Sequence, residues 1–134
     1  MVNVVQDKFL NIDFDASKSV FYMTWSKTTV KMTDESYMNS ILILKNAFLK
    51  YKPKHLLTDL SPGVFGIRPL IQEWTRDNLF VHYEGIVEKA AFVMSNDIFT
   101  TLGAEQMVSN EKSRKFPTKF FGNRAEAEEW LFGL

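Results

Sequence analysis

Within the first fifty residues the apolar spacing switches from two to roughly three and a half, which limits the chain to folds that mix strands with helices. Leu10, Ile12 and Phe14 alternate with Asn11, Asp13 and Asp15, the period of a half-buried strand. Ala16-Ser17-Lys18 makes a tight connection to the β-branched and aromatic run Val20-Phe21-Tyr22-Met23-Thr24-Trp25, so the two segments predict an antiparallel hairpin. From Thr33 onward Tyr37, Ile41, Leu44, Phe48 and Tyr51 fall on one helical stripe that Met38, Leu42 and Leu49 widen. Thr33 or Asp34 supplies the cap, and Pro53 stops the helix.

Further along, Lys54 to Leu60 reads as a short strand entering the turn Ser61-Pro62-Gly63, and a helix beginning at Pro69 is expected to carry Leu70, Ile71, Trp74 and Leu79 inward. Lys89-Ala90-Ala91-Phe92-Val93-Met94 is a near-continuous apolar run, the pattern of a central strand covered on both faces. Ser95-Asn96-Asp97 caps a helix containing Ile98, Phe99, Leu102, Met107 and Val108, with Gly103 weakening its middle. Lys115 to Phe121 reads as a last strand, on an edge because Pro117 cannot donate to a ladder. Asn123 with Glu126 caps a final helix bearing Ala127, Trp130 and Leu131. The expectation is one α/β domain over 1–134, with the order ββαβαβαβα: about five strands in a single mixed, mostly parallel sheet, and four helices.

The 134 residues carry 16 Lys+Arg against 16 Asp+Glu, so the formal net charge is zero. Nucleic acid is not an expected partner, since phosphate neutralisation needs a surplus of cations. No run approaches the ~18 apolar residues that span a bilayer. The first thirty residues are interrupted by Asp7, Lys8, Asp13, Asp15 and Lys18, which predicts neither a signal segment nor membrane insertion but a cytoplasmic protein. Zero cysteines remove thiol catalysis and Cys-based zinc sites.

The hairpin, the strand ending in Asp59-Leu60-Ser61 and the α/β units after it resemble the STAS domain of sulfate-transporter tails and anti-sigma-factor antagonists. The last third, from Val87 to Ser95 and from Phe120 to Leu131, is similar to a group of small bacterial proteins labelled STAS-like or Sec14-like. The resemblance implies a non-catalytic module that contacts a regulatory protein. In the antagonists a kinase phosphorylates a Ser or Thr at the start of the helix after the Asp-Leu-Ser strand. Val64-Phe65-Gly66-Ile67-Arg68-Pro69 holds no hydroxyl, so phosphorylation is not expected to act as a switch here. A distant Sec14-like relationship, with 12 Phe and 6 Met, implies the alternative of a carrier for a lipid or other small apolar molecule.

No catalytic constellation emerges. Gly63-Val64-Phe65-Gly66 lacks the Lys-Ser/Thr of a phosphate loop. His55 and His82 are the only histidines and lack the companions a metal needs. Ser61, His55 and Asp59 lie too close along one extended strand to converge as a triad. Glu126, Glu128 and Glu129 read as a solvated helix face, and Lys112-Ser113-Arg114-Lys115 as a solvated loop. No enzyme activity, cofactor or metal is expected. In open α/β sheets partners gather at the carboxyl ends of the strands, which here carry Ser61, Val64, Phe65 and Arg68 in one loop and Ser95, Asn96 and Asp97 in another. These seven residues are the sequence-derived binding site, for a protein or an apolar small molecule, and exposed sheet edges make a two-fold dimer the expected association.

Overall fold

The computed structural model describes residues 1–109 and 116–133, and the cluster 112–115 lies outside them. Three antiparallel strands open the chain: β1 (Val2–Gln6), β2 (Leu10–Asp15) and β3 (Val20–Trp25). The predicted hairpin is β2 and β3, paired from Leu10 against Trp25 to Asp15 against Val20. Its turn is held by the Asp15 carboxylate, which accepts from Ser17 N at 3.0 Å and Ser17 Oγ at 2.6 Å. β1 is an addition to the expected five strands. Its register against β2 shifts between Asn3 and Val5, so the alternation that marks a strand is broken within five residues. Only Val5 of β1 is buried. The Asn3 side chain ties this edge down by donating to Asn11 Oδ1 at 2.9 Å and Asp13 Oδ1 at 3.0 Å.

The parallel half contains β4 (His55–Asp59), β5 (Lys89–Val93) and β6 (Thr118–Phe121). The six strands lie side by side in chain order, β1-β2-β3-β4-β5-β6, with β6 on an edge as expected but beginning at Thr118, just past Pro117, whose carbonyl accepts from Ala90 N at 3.0 Å. Between and after them run α1 (Asp34–Tyr51), α2 (Pro69–Asn78), α3 (Ile98–Ser109) and α4 (Arg124–Phe132). Thr33, not Asp34, caps α1: its hydroxyl accepts from Ser36 N, and Ser36 Oγ accepts from Thr33 N at 2.8 Å. Leu49, expected to widen the buried stripe, is exposed. α2 starts at Pro69 as expected, but Leu70 points outward while Ile71, Gln72 and Thr75 go in. Asn123 caps α4 by accepting from Glu126 N at 2.9 Å.

Strand alternation divides the core into two layers. Phe21, Met23, Trp25, Leu56, Ala90 and Phe92 face the side covered by α1, α2 and α3. Val20, Tyr22, Leu57, Ala91 and Val93 face the side covered by Ala127 and Leu131 of α4. β5 contributes to both clusters, which explains its near-continuous apolar run. Among the described residues no helix is long and apolar enough to cross a membrane.

Candidate functional site: a pinned loop and an inverted helix

At the carboxyl ends of β4 and β5 the chain from 61 to 68 lies against the start of α3. The Asp59 carboxylate begins the turn, accepting from Ser61 N at 2.9 Å and Ser61 Oγ at 2.6 Å, an Asx-type arrangement. Gly63 leaves little room there for a side chain. A Cβ on it would stand 3.0 Å from the Phe65 ring and 3.2 Å from Leu60 O. Three consecutive residues are then held by hydroxyls from elsewhere: Gly63 O accepts from Ser95 Oγ at 2.7 Å, Val64 N donates to Thr29 Oγ1 at 2.9 Å, and Phe65 N donates to Thr100 Oγ1 at 2.8 Å. A loop whose backbone groups are satisfied this way is a fixed surface. Arg68 closes it with an exposed ion pair to Asp34 Oδ2 at 2.6 Å.

The sequence-derived site residues divide. Phe65 folds into the core, with its ring 5.2 Å from Trp25 and 6.3 Å from Tyr37, because the Gly63 turn and the Thr100 bond aim it inward; it is not a docking residue. Asp97 caps α3, accepting from Thr100 N at 3.0 Å and Thr100 Oγ1 at 2.6 Å. Ser95, assigned to that cap, instead bridges the two loops, donating to Gly63 O and accepting from Asp97 N at 2.9 Å. Ser61 and Arg68 are exposed but committed to Asp59 and Asp34. Val64 and Asn96 present free side chains to solvent.

The residues that sequence reasoning missed are on α3. Its buried positions are Thr100, Thr101, Gly103, Ala104 and Met107, whereas Ile98 is 73%, Phe99 67% and Leu102 47% exposed. These three share one helical face by their spacing. The inversion has a local cause. A Cβ on Gly103 would lie 3.3 Å from Ile67 N, so the loop backbone sits directly on the helix, and only small or hydroxyl-bearing residues fit beneath it. Phe99 Cβ lies 3.9 Å from the Cβ position of Gly66, which joins the exposed helix face to the loop. Leu70, 67% exposed, and Val64, 42% exposed, lie on the neighbouring segments. The usable signal was the Thr-Thr, Gly-Ala and Met spacing, a second stripe as regular as the apolar one.

Chemistry is sparse at this edge. His55 sits at the opposite end of β4, its Nδ1 3.1 Å from Lys18 O, and four residue steps along the strand set it about 13 Å from Asp59, so no triad with Ser61 exists. No group of three or more potential metal ligands occurs among the described residues. The Ser17 hydroxyl holds Asp15 of the hairpin turn below its usual range, and the other perturbed groups are buried tyrosines, of which Tyr22 is pushed up to about 12 chiefly by burial. Burial pushes the Tyr37 hydroxyl well above its ordinary range, opposed by its hydrogen bond with Thr75. Burial, with Tyr37 nearby, does the same to Tyr83. Both stay neutral at ordinary pH. No family model, curated protein or solved structure matches the chain.

Proposed function

We propose that this chain is a non-catalytic binding module, of the kind its STAS resemblance implies, that docks a regulatory protein on the face made by Ile98, Phe99 and Leu102. The observation that carries this reading is the inversion of α3. An isolated exposed apolar residue is ordinary, but three on one face of a helix, with Phe99 against the loop at Gly66, form the kind of surface that partners cover. The immobilised 61–68 loop supports the same reading, because a preformed surface loses little conformational freedom on binding. Asn96 and the Arg68–Asp34 pair supply a polar rim.

A photoreactive phenylalanine analogue at position 99, expressed in the native host, tests it. One discrete adduct with a second protein is expected, and none when the analogue is placed at Leu49, an exposed apolar position of α1. Absence of any adduct at 99, or an adduct of twice the chain's own mass, overturns the reading; the second result would reassign the face to self-association.

A further inference from the structure

α2 and α3 pack on the same side of the sheet, and two contacts fix their register. A Cβ on Gly103 would lie 3.3 Å from Ile67 N, and Gln72 Nε2 donates to Gln106 Oε1 at 2.9 Å. Contacts that advance together along both segments mean that the helices run in the same direction. Along the exposed face of α3 the character changes: Ile98 and Leu102 are followed one turn later by the exposed Glu105. α2 shows the same change, since its outward residues Leu70, Glu73 and Asp77 are spaced three and four apart, while Ile71, Gln72 and Thr75 go in. Glu73 follows the residue bonded to Gln106, so Glu73 and Asp77 stand at the Glu105 end of the pair, away from Phe99. None of these three carboxylates has an ion pair among the described residues. α3 carries no Lys or Arg, and Arg76, the one cation of α2, is turned to Met107 O at 3.5 Å. The surface therefore has an apolar end and an anionic end, with Ile98 and Glu105 ~10 Å apart along the helix axis.

We propose that the partner docked on the α3 face binds through an amphipathic helix, with apolar side chains at one end laid on Ile98, Phe99 and Leu102, and Lys or Arg at the other facing Glu105, Glu73 and Asp77; this rests on the α3 reading above. The carboxylates select the sign, because a like charge brought up to them is repelled where an opposite one is attracted. A helix fits because α2 and α3 satisfy their backbone N–H and C=O groups internally, so this face offers no sheet edge for an extended peptide to pair with. A third helix can pack ~8–10 Å from either of them. An anionic lipid or nucleic-acid surface is disfavoured by the same three carboxylates. Exposed charges govern orientation and partner choice more than they hold a complex together, so the apolar end supplies the grip and the acidic end the direction.

An amide NMR titration of the intact protein tests it with two synthetic helical peptides that share a leucine face and carry at one end of it either Lys or Glu. The Lys peptide is expected to shift the amides of 98–105 saturably and to bind about fivefold more tightly than the Glu peptide at low ionic strength, the difference closing in about 1 M salt. Glu73→Lys combined with Glu105→Lys should reverse that order and, both sites being exposed, leave the urea midpoint in place. Ile98→Ser should weaken both peptides alike. Equal binding of the two, no saturable shift with either, or an order unchanged in the double variant overturns the proposal. So does a preference for the Lys peptide that emerges only after Lys112, Arg114 and Lys115 are replaced by Ser, which would assign the carboxylates to the chain's own cations. The crosslink at position 99 reads the two ideas apart: an adduct there alongside any of these results strikes only the partner's chemistry, whereas no adduct strikes the docking reading itself.

Discussion

α1 and α3 lie on the same side of the sheet, yet they treat their apolar residues in opposite ways. α1 buries Tyr37, Ile41, Leu44 and Phe48 and holds itself with a capping box. α3 turns Ile98, Phe99 and Leu102 to solvent and seats itself on Thr100, Gly103 and Ala104. One helix is held by apolar burial, the other by a close backbone fit and hydroxyl bonds to the loop beside it. The lesson is that a helix spends its large apolar residues inward when it needs them for stability, and can keep them outward when hydrogen bonds and small residues seat it instead.

Four substitutions and one change of condition would break or sharpen that contrast. Phe48→Ala, which empties a fully buried site against the Tyr83 ring at 4.7 Å, should cost about 3–5 kcal/mol in urea unfolding; a cost near zero would erase the distinction. Alkali should act through buried tyrosines, because Tyr37 and Tyr83 on the α1 side and Tyr22 on the α4 side hold raised pKa values while the inward hydroxyls of α3 do not titrate. The unfolded chain releases these protons above pH ~10 and the folded chain retains them, so stability is complete below that pH and then falls by up to about 4 kcal/mol per pH unit. Tyr37→Phe should remove about a third of that slope. Thr100→Val leaves the buried Phe65 N–H without its acceptor and should cost about 1–3 kcal/mol, read as a lower midpoint and faster amide exchange at 64–66. Ile98→Ser, at a position 73% exposed, should change stability by less than about 0.5 kcal/mol while removing the adduct formed by the analogue at position 99; a loss comparable to Phe48→Ala would show that the α3 face is core after all.

Periodicity made most of the architecture legible. The hairpin, the stripe of α1, the doubly covered β5 and the edge position after Pro117 each follow from a local pattern that tertiary packing left intact. β1 was not legible, because the shift after Asn3 destroys the alternation on which detection rests. At the site, sequence reasoning counted Phe65 among its seven binding residues, although the ring is buried, and left out Phe99, although it is exposed. Composition ranks both as core residues. What separates them is the Gly103–Ile67 approach and the Thr100 bond, contacts between segments over thirty residues apart in the chain.

The strand order has a kinetic consequence. Every strand pairs only with strands adjacent to it in the chain, so the sheet can grow by accretion, each new unit closing a loop against the edge just formed instead of threading between strands already paired. Such a topology keeps contact order low for a chain with parallel pairing, which favours fast folding. It also suits emergence from the ribosome, since the β1–β3 meander is complete before α1 is made. α4 alone reverses this progression: it comes last and covers Val20, Leu57 and Ala91 on the far face, and until it docks that face of every partly built sheet lies bare to solvent.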